Sequence, residues 1–494
     1  MELKVKSGKW FAGLPVAMLR KETAEKLGAH SKERLLVKTI SIKPKSISAI
    51  LDINESGIKK DEIILSVEAK RELNLKSGDK VDVDLSPPAK SFEYIKEKLN
   101  QKTLSNEKIN LIMKDIVNNN LSEAEIAMFI SAVYQNGMNF KETVTMIKSF
   151  LNSGSVFSIK GKNVVDKHCV GGVPGNRTTP IVVSICASQG LIFPKSSSRA
   201  ITSAAGTSDV IETLAPVEFS AEEVKKIVKK TNACMVFGGS LGMVPADTKI
   251  IDVEKELHID SESLLLSSIL SKKLSVGSKI ILIDIPYGKT AKVTKEKAQE
   301  LKKKFEKLGN YFKVNVKVVL TDGSQPIGNG IGPVLEMKDI LRILNPEKIG
   351  PRDLEEKSLF LAGQILEMTK RAKIGKGYEL AREILHSGKA FKKFKEIIFA
   401  QGGKIKELKL AKYKKEIYSE KTGKIVEIHN KKINDLARIA GCPTDKSAGI
   451  YLYCHLRDYV KKGDKLFTIY AESKSRLDES TEFCREAKPI IVNN

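Results

Sequence analysis

The chain has 494 residues, 41% hydrophobic and 29% charged, too long for one ordinary core and too charged for a membrane protein, so roughly two to four globular domains are expected. No apolar run approaches the roughly 20 residues of a membrane span, and the opening Met1-Glu-Leu-Lys-Val lacks the apolar core of a signal peptide, so a cytoplasmic location is expected and a membrane partner is not. The formal net charge of +24 invites nucleic acid through counterion release, but the lysines are interspersed with glutamates in helix-like stretches such as 292–307 and 404–421, the pattern of solvated faces; a field that gathers small anions is expected instead, with no nucleic-acid partner.

Residues 1–85 alternate apolar and polar positions in short runs broken by glycine and charge, the pattern of strands. A faint repeat at an offset of 46 residues relates the segment from Leu27 to Val37 to the segment from Leu73 to Val83, each a helix end, a turn and a strand. Two like halves predict a small N-terminal β-barrel. Ser86-Pro87-Pro88 closes it as a stiff linker. A helical domain is expected over 91–155: Ser122-Glu-Ala-Glu125 has the spacing of a capping box, with Ile126, Phe129, Ile130 and Val133 on one face. Gly137 ends that helix, and another follows over 140–151. Residues 247–275 are expected to return and complete this domain, as one wall of a cleft.

The centre of the chain is 166–207, where two Gly/Ser/Thr-rich loops carrying cations flank an apolar helix over 180–187 that starts at a proline. The free amides of its first turn and its positive dipole end suit an anion beside Gly171 and Gly172, with Lys167 adding charge and Thr178 and Thr179 adding hydroxyls. The second loop, Lys195 to Thr207, repeats the recipe, and Arg199 offers the planar fork that fits phosphate oxygens. Glycine and serine clusters are ordinarily plain turns; the pairing of two such loops with their cations is what suggests two anion sites.

Short apolar runs alternate with helices over 156–237, the signature of a parallel sheet covered on both faces, whose strands' carboxyl ends form the ligand crevice. The helix over 264–273 places Ser268 and Lys272 one turn apart on one side, although serines on apolar helices often only bond back to the preceding turn. A strand over 280–286 runs into the basic loop Gly288-Lys-Thr-Ala-Lys292. After a charged helix and a strand comes the glycine-rich loop 321–332, and after further helices the tail turns to strands and turns. The expected fold is therefore α/β and α+β multidomain: a barrel at 1–85, a helical domain at 91–155 completed by about 247–275, a large α/β domain with a mixed sheet at 156–246 and 276–410, and a C-terminal α+β domain at 411–494 that supports rather than reacts. The six cysteines, at 169, 186, 234, 442, 454 and 484, show neither C-x-x-C pairing nor zinc spacing, so separate thiols and no metal are expected.

Asp166-Lys-His-x-x-Gly-Gly172, Ser198-Arg199, Gly206-Thr207 and Ser268-Ile-Leu-Ser-Lys-Lys273, together with the Thr321-Asp stretch, resemble the thymidine and pyrimidine-nucleoside phosphorylase family from about Ser91 to the C-terminus. The closest likeness is to its archaeal branch, which acts on AMP. The resemblance implies reversible phosphorolysis of an N-glycosidic bond, with inorganic phosphate as nucleophile and no cofactor. It places that phosphate among Lys167, Thr179, Ser197 and Thr207. Two departures matter. The family serine after Lys-His is Cys169 here, and the arginine that holds a pyrimidine carbonyl matches Val253. A purine is then favoured, with Asp260 as proton donor to its ring, provided burial raises the carboxyl pKa; His168 is the rival acid, and Asp260 also reads as a helix cap before Ser261.

The donors of Ser198, Arg199, Ala200, Ile201, Thr202 and Ser203 exceed what a plain nucleoside needs, and Lys292 lies at the adjacent strand end. With Gly172, Thr207, Ser268 and Lys272 they make up the expected site for AMP, with CMP and UMP as further candidates and ribose 1,5-bisphosphate as the sugar product. The barrel also resembles that of the AMP-acting branch, where it serves assembly, and this resemblance implies a homodimer or larger oligomer. A pyrimidine-nucleoside phosphorylase, a phosphoribosyltransferase and a nucleic-acid binder are the alternatives.

Overall fold

The computed structural model describes residues 1–493 apart from 7, 9, 155, 156, 160, 162, 201 and 202. Two compact units emerge, Met1–Gly154 with Val244–Ser268, and Ser155–Met243 with Ile269–Asn494.

In the first unit, strict alternation along Glu2–Lys6, Val16–Arg20 and Lys80–Leu85 turns Leu3, Val5, Ala17, Leu19, Val81 and Val83 inward. Six strands close into a barrel, which leaves no hydrogen-bonding edge exposed. The repeat is visible in it: Val16–Arg20, Lys21–Lys26 and Arg34–Thr39 recur as Glu62–Leu65, Val67–Leu73 and Lys80–Leu85. The helices Ser91–Leu99, Asn106–Val117, Glu123–Asn136 and Phe140–Asn152 follow, and Pro245–Leu257 packs among them. Reciprocal capping boxes at Ser122 and Glu125 and at Asn139 and Glu142 start two of these helices, each cap contributing about 1 kcal/mol. Glu142 is buried, and its charge is met by Lys98 at 3.0 Å and by the Leu104 amide at 2.9 Å. Phe129, Ile130, Val133 and Phe150 fill the interior.

In the second unit Asn315–Asp322, Ile280–Tyr287 and Val165–Cys169 pair in parallel, a bridge from Val164 to Ile192 leads on, and Phe193–Ser197 pairs in parallel with Ala233–Phe237. Among the described residues this sheet is parallel throughout, not mixed. The reason is the connectivity: successive strands of this sheet are joined by helical crossovers such as Thr179–Ser188, Ala221–Thr231 or Lys295–Tyr311 rather than by hairpins that would reverse direction. Ile281, Leu282, Ile283 and Ile285 are buried, as expected for a strand covered on both faces. Thr179–Ser188, the proline-started helix, is buried along its length against Arg352–Met368 and Lys389–Ala400.

The tail adds two antiparallel sheets and the helices Asn430–Ile439 and Lys474–Ala487. One sheet recruits Gly330–Ile331, from the end of the glycine-rich 321–332 loop, as a partner of Gly449–Leu452. That loop is thus fixed between the parallel sheet and the C-terminal domain.

Candidate functional site

Side chains alternate across a strand, so Val165–Cys169 sends Lys167 and Cys169 to one face and Asp166 and His168 to the other. On the first face Lys167 is 0% exposed. Its Nζ donates to Thr178 Oγ1 at 2.6 Å and lies 3.5 Å from Thr179 Oγ1, both at the start of Thr179–Ser188. Parallel pairing sets Asp284 beside Cys169. Asp284 accepts from Thr321 Oγ1 at 2.6 Å and lies 3.2 Å from Lys357 Nζ. Burial holds Lys167 below the ordinary lysine range. For Asp284 burial pushes the carboxyl up, but Lys357 and Lys167 outweigh it and leave it below its usual value. Cys169 accepts from Asn176 Nδ2 at 3.3 Å, and burial with Asp284 nearby keeps it a thiol. It is a small residue closing the strand, not the loop residue its sequence position suggests, and not a reactive thiol.

On the opposite face Asp166 joins Lys195 at 3.1 Å and Lys273 at 2.9 Å, and Lys195 also donates to the Lys167 carbonyl at 2.7 Å. Burial lowers the proton affinity of Lys273. His168 shares this surrounding: burial first, then Lys273, Lys195, Lys272 and Lys167, hold its imidazole well below the usual range. A neutral ring is a poor proton donor, which weighs against His168 as the acid.

The second loop folds back on itself. A Cβ at Gly206 would stand 2.6 Å from the Ala200 nitrogen, and Asp209 Oδ2 accepts the amides of Ala200 at 2.6 Å and Gly206 at 2.8 Å. Arg199, 34% exposed, gives both Nη atoms to Glu212 at 2.6 and 2.8 Å and Nη2 also to Glu218 at 2.8 Å, while stacking over Phe237. Glu212, bonded to Arg199 and to Lys446, is held down to about 2. Ser197 shares a 2.8 Å hydroxyl contact with Ser208. Arg177 ties the two loops together, donating to Thr207 Oγ1 at 3.1 Å and the Ala205 carbonyl at 2.7 Å while paired with buried Glu336 at 2.6 Å.

Lys167, Thr179, Ser197, Thr207, Gly172 and Lys292 all belong to the second unit. Gly172 has φ +85°, and a Cβ there would lie 2.5 Å from Lys292 Cβ, so only glycine admits the 288–292 loop. Ser198, Ser203 and Lys292 are exposed and Ala200 is half-buried; Ile201 and Thr202 lie outside the described residues. Ser268 donates to Asp247 at 3.1 Å, and Lys272 follows it on the same half-buried face of Glu262–Val276. Val253 is buried on Pro245–Leu257. Asp260, in the first unit, is exposed and precedes the helix that starts at Glu262, so the burial its proposed chemistry asks for is not supplied by the chain around it.

Sequence reasoning passed over Arg177, Asp209, Glu212, Asp284 and Lys357. Asp284 carried a signal, a lone carboxylate inside a continuous apolar strand; Lys357 carried none. Among the described residues no group of three or more His, Cys, Asp or Glu could hold a metal, and no helix is long and apolar enough to cross a membrane.

Residues 92–154 match the glycosyl transferase family helical bundle domain, 161–391 its a/b domain, and 424–490 the pyrimidine nucleoside phosphorylase C-terminal domain. The chain is 40% identical to an AMP phosphorylase of Methanococcus vannielii, over 97% of this chain and 95% of that one. It is 43% identical to an AMP phosphorylase of Pyrococcus furiosus, over 90% and 88%, and 42% identical to a putative thymidine phosphorylase of Legionella pneumophila, over 94% and 87%. The fold is shared with anthranilate phosphoribosyltransferase from Thermus thermophilus, with a TM-score of 0.50 at 18% identity over 63% of this chain and 99% of that one.

Proposed function

Because the chain belongs to the glycosyl transferase family that includes the AMP and thymidine phosphorylases, we propose that it catalyses reversible phosphorolysis of AMP, and of CMP and UMP, to free base and ribose 1,5-bisphosphate. A phosphate oxygen forms the new bond to C1′ as the C1′–N bond breaks; the base leaves with the electron pair and takes up a proton. Phosphate is itself the nucleophile, so no cofactor is invoked. The role fits nucleotide salvage or degradation in the cytoplasm, by a homodimer or larger assembly.

One observation carries this reading. Among the described residues, buried Lys167, Lys195 and Lys273 and nearly buried Lys357 gather around two buried aspartates, Asp166 and Asp284. Such a surplus of desolvated positive charge favours a multiply charged anion, which would also restore the lowered proton affinity of Lys167. Phosphate is placed with Lys167, Thr179, Ser197 and Thr207; the nucleotide with Gly172, Ser198 to Ser203, Thr207, Ser268, Lys272 and Lys292. Asp260 is the proton donor in this reading.

A second reading, a nucleoside phosphorylase without a 5′-phosphate site, is favoured by the engagement of Arg199 with Glu212 and Glu218. Release of base from AMP, adenosine, CMP, UMP, uridine and thymidine in the presence of phosphate separates the two. Turnover of AMP well above adenosine supports the first, and equal rates overturn it.

A further inference from the structure

The helix Asn430–Ile439 of the C-terminal domain reaches both loops assigned to the nucleotide. Asn430 is 1% exposed, and its Nδ2 donates to Thr290 Oγ1 at 2.9 Å and to the Gly323 carbonyl at 2.8 Å. Thr290 lies inside the 288–292 loop that presents Lys292 and rests against Gly172. One turn further along, Asn434 Oδ1 accepts the Ala204 amide at 2.7 Å, within the loop that runs from Ser198 to Gly206. Ala204 itself is 2% exposed and packs in the core of the C-terminal domain, among residues such as Ile433 and Ala437. Residues four apart on a helix share a face, so a single rigid element sets the spacing between the two loops. A third tie, Lys446 to Glu212 at 2.6 Å, acts on the partner of Arg199.

The geometry points to Asn430 and Asn434 as positioning residues that determine specificity for the nucleotide 5′-phosphate, acting through the 198–206 and 288–292 loops without touching the reacting atoms. This rests on the AMP reading above and deepens it: the C-terminal domain fixes what the nucleotide loops can recognise. The Lys167, Thr178 and Thr179 part of the phosphate pocket is built without this helix, so the reagent phosphate keeps those contacts when the helix is altered.

The test is a KM-against-kcat comparison on the full chain. Asn434→Ala removes a hydrogen bond to a backbone amide and is expected to raise KM for AMP about tenfold, with kcat and KM for inorganic phosphate within about twofold and the AMP-over-adenosine preference reduced in proportion. Asn430→Ala is expected to act in the same direction. Should either alanine variant fail to fold, Asn434→Ser, which keeps an oxygen on a shorter side chain, is read the same way. An unchanged KM for AMP in a folded variant, or equal changes in KM for AMP and for phosphate, overturns the inference while the AMP reading stands. Wild-type protein that turns over adenosine as well as AMP overturns both.

Discussion

Around Lys167 positive charge is buried and in excess; around Arg199 it is a third exposed and already cancelled. Lys167, Lys195 and Lys273 cannot leave their places, because their stems are packed and their ammonium groups are held by Thr178, the Lys167 carbonyl and Asp166. Arg199 is restrained chiefly by carboxylates that a competing anion can displace, Glu212 and Glu218, with Asp209 at 3.6 Å and the Phe237 ring beside it. The first arrangement is pre-organised for its ligand, and its electrostatic cost is carried by folding. The second must be opened by its ligand, so its affinity is a difference between two sets of ion pairs. A fixed site suits the group that reacts, and a displaceable one suits a group that distinguishes substrates.

The largest expected effect tests the fixed half. Lys167→Met keeps the length of the side chain without the charge, and it should cut kcat/KM by about a hundred- to a thousandfold, the scale of losing one pre-organised electrostatic contact. Steady-state kinetics with a parallel thermal melt checks it, and near-wild-type turnover would dissolve the contrast between the two regions. Next, Asp260→Asn should slow base release by at least about a hundredfold while AMP binding, followed calorimetrically, persists. Normal turnover would return the proton to His168, and the pH profile would then show an ionisation that its lysine surroundings disfavour.

For the displaceable half, Arg199→Ala should weaken AMP by about ten- to a hundredfold, the range for hydrogen bonds to charged groups, and adenosine far less. Equal losses would make Arg199 a structural residue held by Glu212. The smallest effect concerns that partner. Its carboxyl is lowered from 4.5 to about 2, so its contribution to stability is complete above pH 4.5 and is lost as pH falls towards 2. Because its partners Arg199 and Lys446 are 34% and 37% exposed, solvent screening should keep the contribution below about 1 kcal/mol. Melting temperature against pH for wild type and Glu212→Gln should converge in that acid window, and parallel curves would show that the latch carries no stability.

Much of this architecture was legible in local pattern. Ser122 and Asn139 cap as their spacing demands, the proline-started helix is buried as its composition requires, and the repeat offset in 1–85 is the barrel's own symmetry. The parallel direction was legible over 156–237 from strands alternating with helices, but a mixed sheet was expected for the domain as a whole, since the direction of Ile280–Tyr287 and Asn315–Asp322 is set by the path of connections and not by the strands themselves. The loops were found by their glycines, but their electrostatics were not. Arg199 looks in sequence like a free phosphate ligand; Glu212 and Glu218, thirteen and nineteen positions later, meet it only after the chain has turned. Lys357 reaches Asp284 from a helix more than seventy residues away in sequence, a relation that no local spacing encodes.

The pairing of Gly330 with Tyr451 and of Ile331 with Ile450 also bears on how the molecule is made. A ribosome delivers Ile331 long before its partner strand exists, so the newly made α/β region waits with an open backbone edge and an uncovered isoleucine. Folding from the N-terminus can finish the barrel early, but the second unit can close only after the last segment of the chain has emerged. A transcript truncated anywhere before Gly449 would therefore yield a protein with an unfinished seam beside its glycine-rich loop, and with a hydrophobic strand end open to aggregation.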